Sequence, residues 1–300
     1  MKKLNLISAV SVLLVSLFSV FYFSCSKDRI DPKTLNTYSP VNTYLDSKKQ
    51  QEQEFIIDSG GTCPIVGNQR TKICLGKQCL TFPTGGSVNW PFSIKLVELY
   101  KPKDMIYYQM PTISAGTILK TDGEIRLRAF KNGIELLLTP TPCSAQIDMP
   151  CVAPQNGMHV FNGITTSGNP DWIDNSPVNL FSTIPAYYTD SIKKLGWINC
   201  GQLAGSTSNS TLTFTSTTDD LTNVGIFIYI TGTKTVMQVY NSSSSLIPNG
   251  SAVKIVAIGI NSSGNLFSFS QNQTVTASAQ IDIVLSATTD AALTTLLDGL

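Results

Sequence analysis

Between Glu124 and Ala129 charge and hydrocarbon alternate residue by residue, with Glu124, Arg126 and Arg128 set against Ile125, Leu127 and Ala129. A period of two cannot line one face of a helix, whose side chains repeat every 3.6 residues, so this stretch is a half-buried strand. Asn132-Gly133 follows, and then a second apolar run from Ile134 to Leu138. Asn-Gly between two such runs is a two-residue hairpin turn, because a type I′ turn needs positive φ at both central positions. The pattern expects Ile125, Leu127, Ile134 and Leu136 in the core. Pro140 and Pro142 end the second strand, since neither can donate to a ladder.

The same signals recur along the chain. Ser93 to Leu99 is rich in strand formers. Further strands are expected at 212–215, 225–230, 235–240, 253–260, 266–270 and 281–285, with turns at Gly232, Pro248-Asn249-Gly250 and Asn261-Ser262-Ser263-Gly264. Residues 201–300 hold 31 Ser or Thr and only seven charged residues, a shift that marks a second domain. Near the end, Thr289 is an N-cap residue, and Leu293, Leu296 and Leu297 share one helix face. The expected fold is all-β: two antiparallel β-sandwich domains with a short C-terminal helix. The first domain is expected at 55–165, a connecting segment at 166–200, and the second domain at 201–300. The 300-residue chain is 42% hydrophobic and 14% charged, which excludes a disordered, highly charged polymer. A net charge of +1 leaves no basic excess for a phosphate backbone, so nucleic acid is not an expected partner.

The N-terminus sets the compartment. Lys2 and Lys3 precede a charge-free run from Leu4 to Ser24, the form of an export signal. Ser24-Cys25 at its end resembles the lipobox of bacterial lipoproteins, with Tyr22 where that motif commonly carries Leu. The resemblance implies a signal peptide at 1–24, cleavage before Cys25, and a diacylglycerol on the Cys25 sulfur as the link to the membrane. The alternative is an uncleaved anchor helix. Ser26 after the cysteine fits outer-membrane sorting, on its periplasmic or its surface face. Residues 25–54, which include Pro32, Pro40 and Lys48-Lys49-Gln50-Gln51-Glu52-Gln53-Glu54, are expected to be a solvated tether.

With Cys25 lipidated, Cys63, Cys74, Cys79, Cys143, Cys151 and Cys200 remain. Six thiols in an oxidising compartment can form three disulfides in 15 ways. Cys143 and Cys151 are expected to pair across a short loop; Cys63, Cys74 and Cys79 are further disulfide candidates, and the partner of Cys200 is open. The spacings are not those of a zinc knuckle or a redox pair, so no metal is expected.

Three stretches resemble a family of Bacteroidota cell-envelope lipoproteins: Val97 to Ile106 with Pro111 to Gly116 and Leu119 to Ile125, then Met158 to Gly163, then Leu195 to Cys200. More remotely, the first domain is similar to the β-sandwich modules of ankyrins and netrin receptors. The resemblance implies tandem β-domains without catalytic residues. Asp122-Gly123 stands where the family often has two glycines, and Gly201 where an Asp commonly follows Asn-Cys.

Chemistry-bearing motifs are few. No Gly-x-Ser-x-Gly elbow occurs, and Gly76-Lys77 is followed by Gln78 rather than the Ser or Thr of a phosphate loop. Ser191-Ile192-Lys193-Lys194 lacks the partner motifs of penicillin-recognising enzymes. His159 is the single histidine and is read as structural. Asn169, Asp171, Asp174 and Asn175 offer oxygens for Ca²⁺ but are better explained as turn formers. Trp172, Tyr187 and Tyr188 are possible ligand-facing aromatics, whereas Trp197 reads as core. Asp190-Ser191-Ile192 fits an O-glycosylation pattern, which would suit an adhesin-like stalk. No cofactor is implied. The expected function is a non-catalytic, lipid-anchored binding or structural module of the outer membrane, with an envelope protein or glycan as partner. The alternative is an envelope hydrolase or carbohydrate-active enzyme, which needs two carboxylates about 5–10 Å apart around one bond.

Overall fold

The computed structural model describes residues 34–61, 63–139, 143–174 and 182–300. The expected signal peptide at 1–24, Cys25 and Asn175 lie outside them. The fold is all-β with short helices. Its main sheet has eight strands. The path runs through Gln53–Ile57, Phe92–Leu99, Thr117–Lys131, Gly196–Leu203, His159–Thr166 and Asn169–Asp174, and two short strands pair with Thr117–Lys131 off the path. A five-stranded sheet built on Tyr187–Ile192, Ala145–Pro150 and Lys72–Cys74 covers one face. Ile94, Leu96, Ile125 and Leu127 meet Ile73, Ile147, Met149 and Tyr188 in the core between them.

The hairpin forms as expected, with Asn132 at φ 52° and Gly133 at φ 78° and Lys131 paired with Ile134. Ile125, Leu127 and Leu136 are buried. Ile134 is not: it lies opposite Lys131 on the last rung of the ladder and is 50% exposed. Two rungs inward, Leu136 donates its N–H to the Ala129 carbonyl and enters the core.

In the second half, another five-stranded sheet runs Thr235–Gln238, Gly225–Ile230, Ala252–Ile260, Leu266–Thr274 and Ser286–Thr288. Ile226, Ile228, Val253 and Ile255 on one face pack against Leu212, Phe214, Ile281 and Ile283. Leu212, Phe214 and Ile281 come from a strand pair, Leu212–Thr215 with Ala279–Asp282, that runs parallel rather than antiparallel, and Ile283 follows directly after it.

A third core joins the two halves. It brings Val97, Leu99, Leu119 and Phe161, on the face of the main sheet opposite the covering sheet, against Phe227, Val236, Val256 and Ile258. Three helices complete it: α1 (Asn42–Ser47), α2 (Pro102–Tyr108) and α3 (Asp290–Asp298) contribute Leu45, Met105, Ile106, Leu293 and Leu297. Thr289 caps α3 as expected, accepting a hydrogen bond from the Ala292 N–H at 3.2 Å.

Two expectations about organisation change. Residues 36–54 are not a solvated tether, because Tyr38, Val41, Tyr44 and Leu45 are buried. Val41, Tyr44 and Leu45 are spaced three and four apart, so a single helical turn hides all three while Asp46, Lys48 and Lys49 stay toward water. Nor do boundaries at 165 and 200 separate the parts. Strand Gly196–Leu203 pairs with both Thr117–Lys131 and His159–Thr166, and Asn36–Leu300 is one compact unit.

Candidate functional site

The central strand carries a β-bulge. Cys200 pairs with Gly123 and Gly201 with Thr121, so Asp122 has no cross-strand partner and its side chain is re-aimed. Its carboxylate accepts the Tyr188 hydroxyl at 2.5 Å and Lys234 Nζ at 2.7 Å. Tyr188 comes from the covering sheet and Lys234 from the second half, so one carboxylate ties three parts of the fold. Tyr188 is therefore a core residue, not a ligand-facing aromatic. Burial, with the hydrogen bond to Asp122, pushes its hydroxyl well above the ordinary phenol range.

Glu98 and Glu124 are fully buried carboxyls on neighbouring strands. Glu98 accepts Gln53 Nε2 at 2.8 Å and the N–H groups of Gln69 and Thr71 at 2.8 and 3.0 Å. Glu124 Oε1 accepts Asn199 Nδ2 at 3.0 Å, and its Oε2 has no hydrogen-bond partner among the described residues. Burial pushes the Glu124 carboxyl well above the usual range, against a smaller opposing effect of Asn199. The register pairs Glu98 with Ile125 and Leu99 with Glu124. Paired residues share a face and successive residues alternate, so the two carboxyls point to opposite sides of the sheet. They cannot flank one glycosidic bond.

The other sequence candidates are held by local partners. His159 Nδ1 lies 3.2 Å from Asp174 Oδ2. Asp171 Oδ1 accepts the N–H groups of Ala115 and Trp172 at 3.0 and 2.8 Å. Asp171 and Asp174 are three apart on a strand and so face opposite ways. Among the described residues, no group of three or more His, Cys, Asp or Glu could hold a metal ion. Trp172 is buried, and its indole N–H donates to the Pro111 carbonyl at 2.7 Å, so it too is core rather than ligand-facing. Tyr187 is half-buried under Lys72 Nζ, 4.1 Å from its ring centroid. Ser191 is exposed on a strand, not on the helix that a Ser-x-x-Lys nucleophile requires.

The disulfides differ from expectation. Cys63 pairs with Cys74 and Cys79 with Cys143, at Cα separations of 4.9 and 5.1 Å. Cys143 does not reach Cys151 because the Leu80–Thr81 strand pairs with Leu137–Leu138, which delivers the following segment to Cys79. Among the described cysteines, Cys151 and Cys200 are free thiols.

The face of the main sheet that the third core partly covers carries a feature that the sequence reading missed. Trp197 and Arg126 are cross-strand neighbours, and Arg128 and Phe130 continue the row on the same face. The Arg126 guanidinium lies 5.2 Å from the Trp197 ring, Arg128 4.6 Å from the Phe130 ring, and Lys95 Nζ 5.2 Å from that same ring. Tyr108 meets Trp197 edge-on at 5.8 Å, and Lys49 lies 5.3 Å from the Tyr108 ring. Glu52 bridges Arg126 and Arg128, and Glu135 forks onto Arg128 at 2.9 and 2.7 Å. Asp46 lies 2.7 Å from Lys49, and Glu54 stands across the ladder from Lys95, so these cations are matched by carboxylates. All four rings and cations of the row are partly exposed, and Ile56, 67% exposed, extends it at the sheet edge. The signal was present in the Glu124-to-Ala129 alternation, whose polar side is this face.

No protein-family model matches the chain, and no curated protein or solved structure is detectably similar to it.

Proposed function

We propose that this chain is a lipid-anchored protein of the bacterial cell envelope, of the Bacteroidota lipoprotein type, that binds another envelope protein through the cation–aromatic face. The partly exposed row of Trp197, Arg126, Arg128 and Phe130 carries this reading. Trp, Tyr and Arg are the side chains on which protein–protein affinity concentrates, because they combine large contact area with directional polar groups. A protein is favoured over a glycan because Ile56 continues the row with an aliphatic surface, which suits a packed protein contact better than a sugar ring. The body begins at Asn36, so residues 26–35 link it to Cys25.

The test is capture from detergent-solubilised envelope by the full-length chain, followed by affinity measurement with the captured protein. Trp197→Ala and Arg126→Ala are each expected to weaken binding by at least tenfold, about 1.4 kcal/mol or more. Undiminished binding by the Arg126→Glu variant would remove this face from the function. Cys25→Ala is expected to leave an unprocessed, unacylated precursor; an unmodified Cys25 in the wild-type chain would remove the anchor.

A further inference from the structure

Cys200 is completely buried on strand Gly196–Leu203, directly across the ladder from Gly123. Cys151 follows strand Ala145–Pro150 of the covering sheet and packs against the core cluster that contains Cys200. Its N–H donates to the Ala186 carbonyl at 3.0 Å, which sets it beside Tyr187-Tyr188. Tyr188 in turn reaches Asp122, the neighbour of Gly123. The two thiols thus approach the Asp122–Tyr188 bridge from two different sheets. Burial, and after it the charge of Asp122, raise both thiols, and Cys151 adds to the effect on Cys200. Such a site keeps both sulfurs uncharged, whether as two thiols or as one disulfide.

We propose that Cys151 and Cys200 form a third disulfide, stapling the covering sheet to the centre of the main sheet. With Cys63–Cys74 and Cys79–Cys143 it uses all six cysteines after Cys25, and so selects one of the 15 connectivities. In this step two S–H bonds break and one S–S bond forms. The two protons and two electrons pass to a disulfide oxidant, which becomes a dithiol. The proposal relies on the export reading only for a compartment that supplies such an oxidant.

The experiment alkylates the full chain in denaturant, straight from the envelope and without reductant, and maps its peptides. A second sample is refolded from the reduced state in oxidised and reduced glutathione. The expected result in both is a linked peptide joining Cys151 to Cys200, two hydrogens lighter than the separate peptides. A link in glutathione but not in the envelope sample supports the pairing and counts against an oxidising location. Alkylated Cys151 and Cys200 in glutathione-folded chain whose other two pairs are closed overturns the proposal, as does either cysteine linked elsewhere. Cys151→Ser is expected to lower the melting temperature by roughly 5–15 °C and to free Cys200 for alkylation only after denaturation. An unchanged melting temperature counts against the staple, and the wild-type map stands if the variant does not fold.

Discussion

Gly123→Ala is expected to destabilise the protein by about 3 kcal/mol or more, read as a lower urea midpoint with an unchanged slope. Gly123 has φ 150°, a conformation that side chains beyond glycine rarely adopt. An added Cβ would also overlap the ring of Tyr100. That ring cannot move aside easily, because it is packed against the main core and its hydroxyl lies 2.7 Å from Thr71 Oγ1. The bulge at Asp122 depends on the same residue, so the bridge from Asp122 to Tyr188 and Lys234 should weaken with it. Tyr100→Leu in the Gly123→Ala background should recover part of the loss, because it removes the ring that the methyl group meets. If the two substitutions simply add, steric overlap is not the cause.

Glu124→Gln is expected to stabilise the protein at neutral pH and to do little near pH 4. The folded carboxyl is raised well above 4.5, its ordinary value, so it keeps its proton when the unfolded chain has released it. Above the unfolded value the native state therefore binds more protons than the unfolded state, and stability falls as pH rises. The slope approaches about 1.4 kcal/mol per pH unit until the folded carboxyl itself ionises. Glutamine is a neutral near-isostere that can still accept from Asn199. The gap between variant and wild type should widen with pH at that slope, measured by urea unfolding across pH 4–8. Parallel curves for the two proteins would show that Glu124 ionises freely in the fold.

Asp219 works in the opposite direction. Burial raises its carboxyl, but donation by Thr218, Tyr38, Asn36 and the Leu285 N–H outweighs this and holds it below the usual range. Its contribution is present above the unfolded value of 3.8 and is lost as pH falls through the lower folded value. Asp219→Asn is accordingly expected to be less stable than wild type at pH 6 and to converge on it in acid, while convergence at neutral pH would exclude the carboxylate's role. Tyr38 and Asp219 are 181 residues apart in sequence, so this contact also clamps the start of the folded body to the second half.

The same distance separates what was legible from what was not. The strand at 124–129, the turn at Asn132-Gly133 and the Thr289 cap of α3 are decided within a few residues, by side-chain period, by positive φ and by one hydroxyl. These the sequence determined alone, together with the all-β class. Which surfaces become covered was decided elsewhere. Val41, Tyr44 and Leu45 sit in a charged stretch that reads as tether, and they are buried because the third core needs an apolar lid. Trp172 and Tyr188 lie among loop residues that read as exposed, and they are buried because sheets from other parts of the chain close over them. Cys143 pairs 64 residues back rather than eight residues on, because a short ladder fixes where its segment lies. The polar side of the alternating strand became a partly exposed cation–aromatic row only once Trp197 was laid beside Arg126. Periodicity and turn chemistry are local and survive in a bare sequence. Burial, cysteine pairing and surface composition depend on partners contributed by distant strands, and only the tertiary structure brings those partners together.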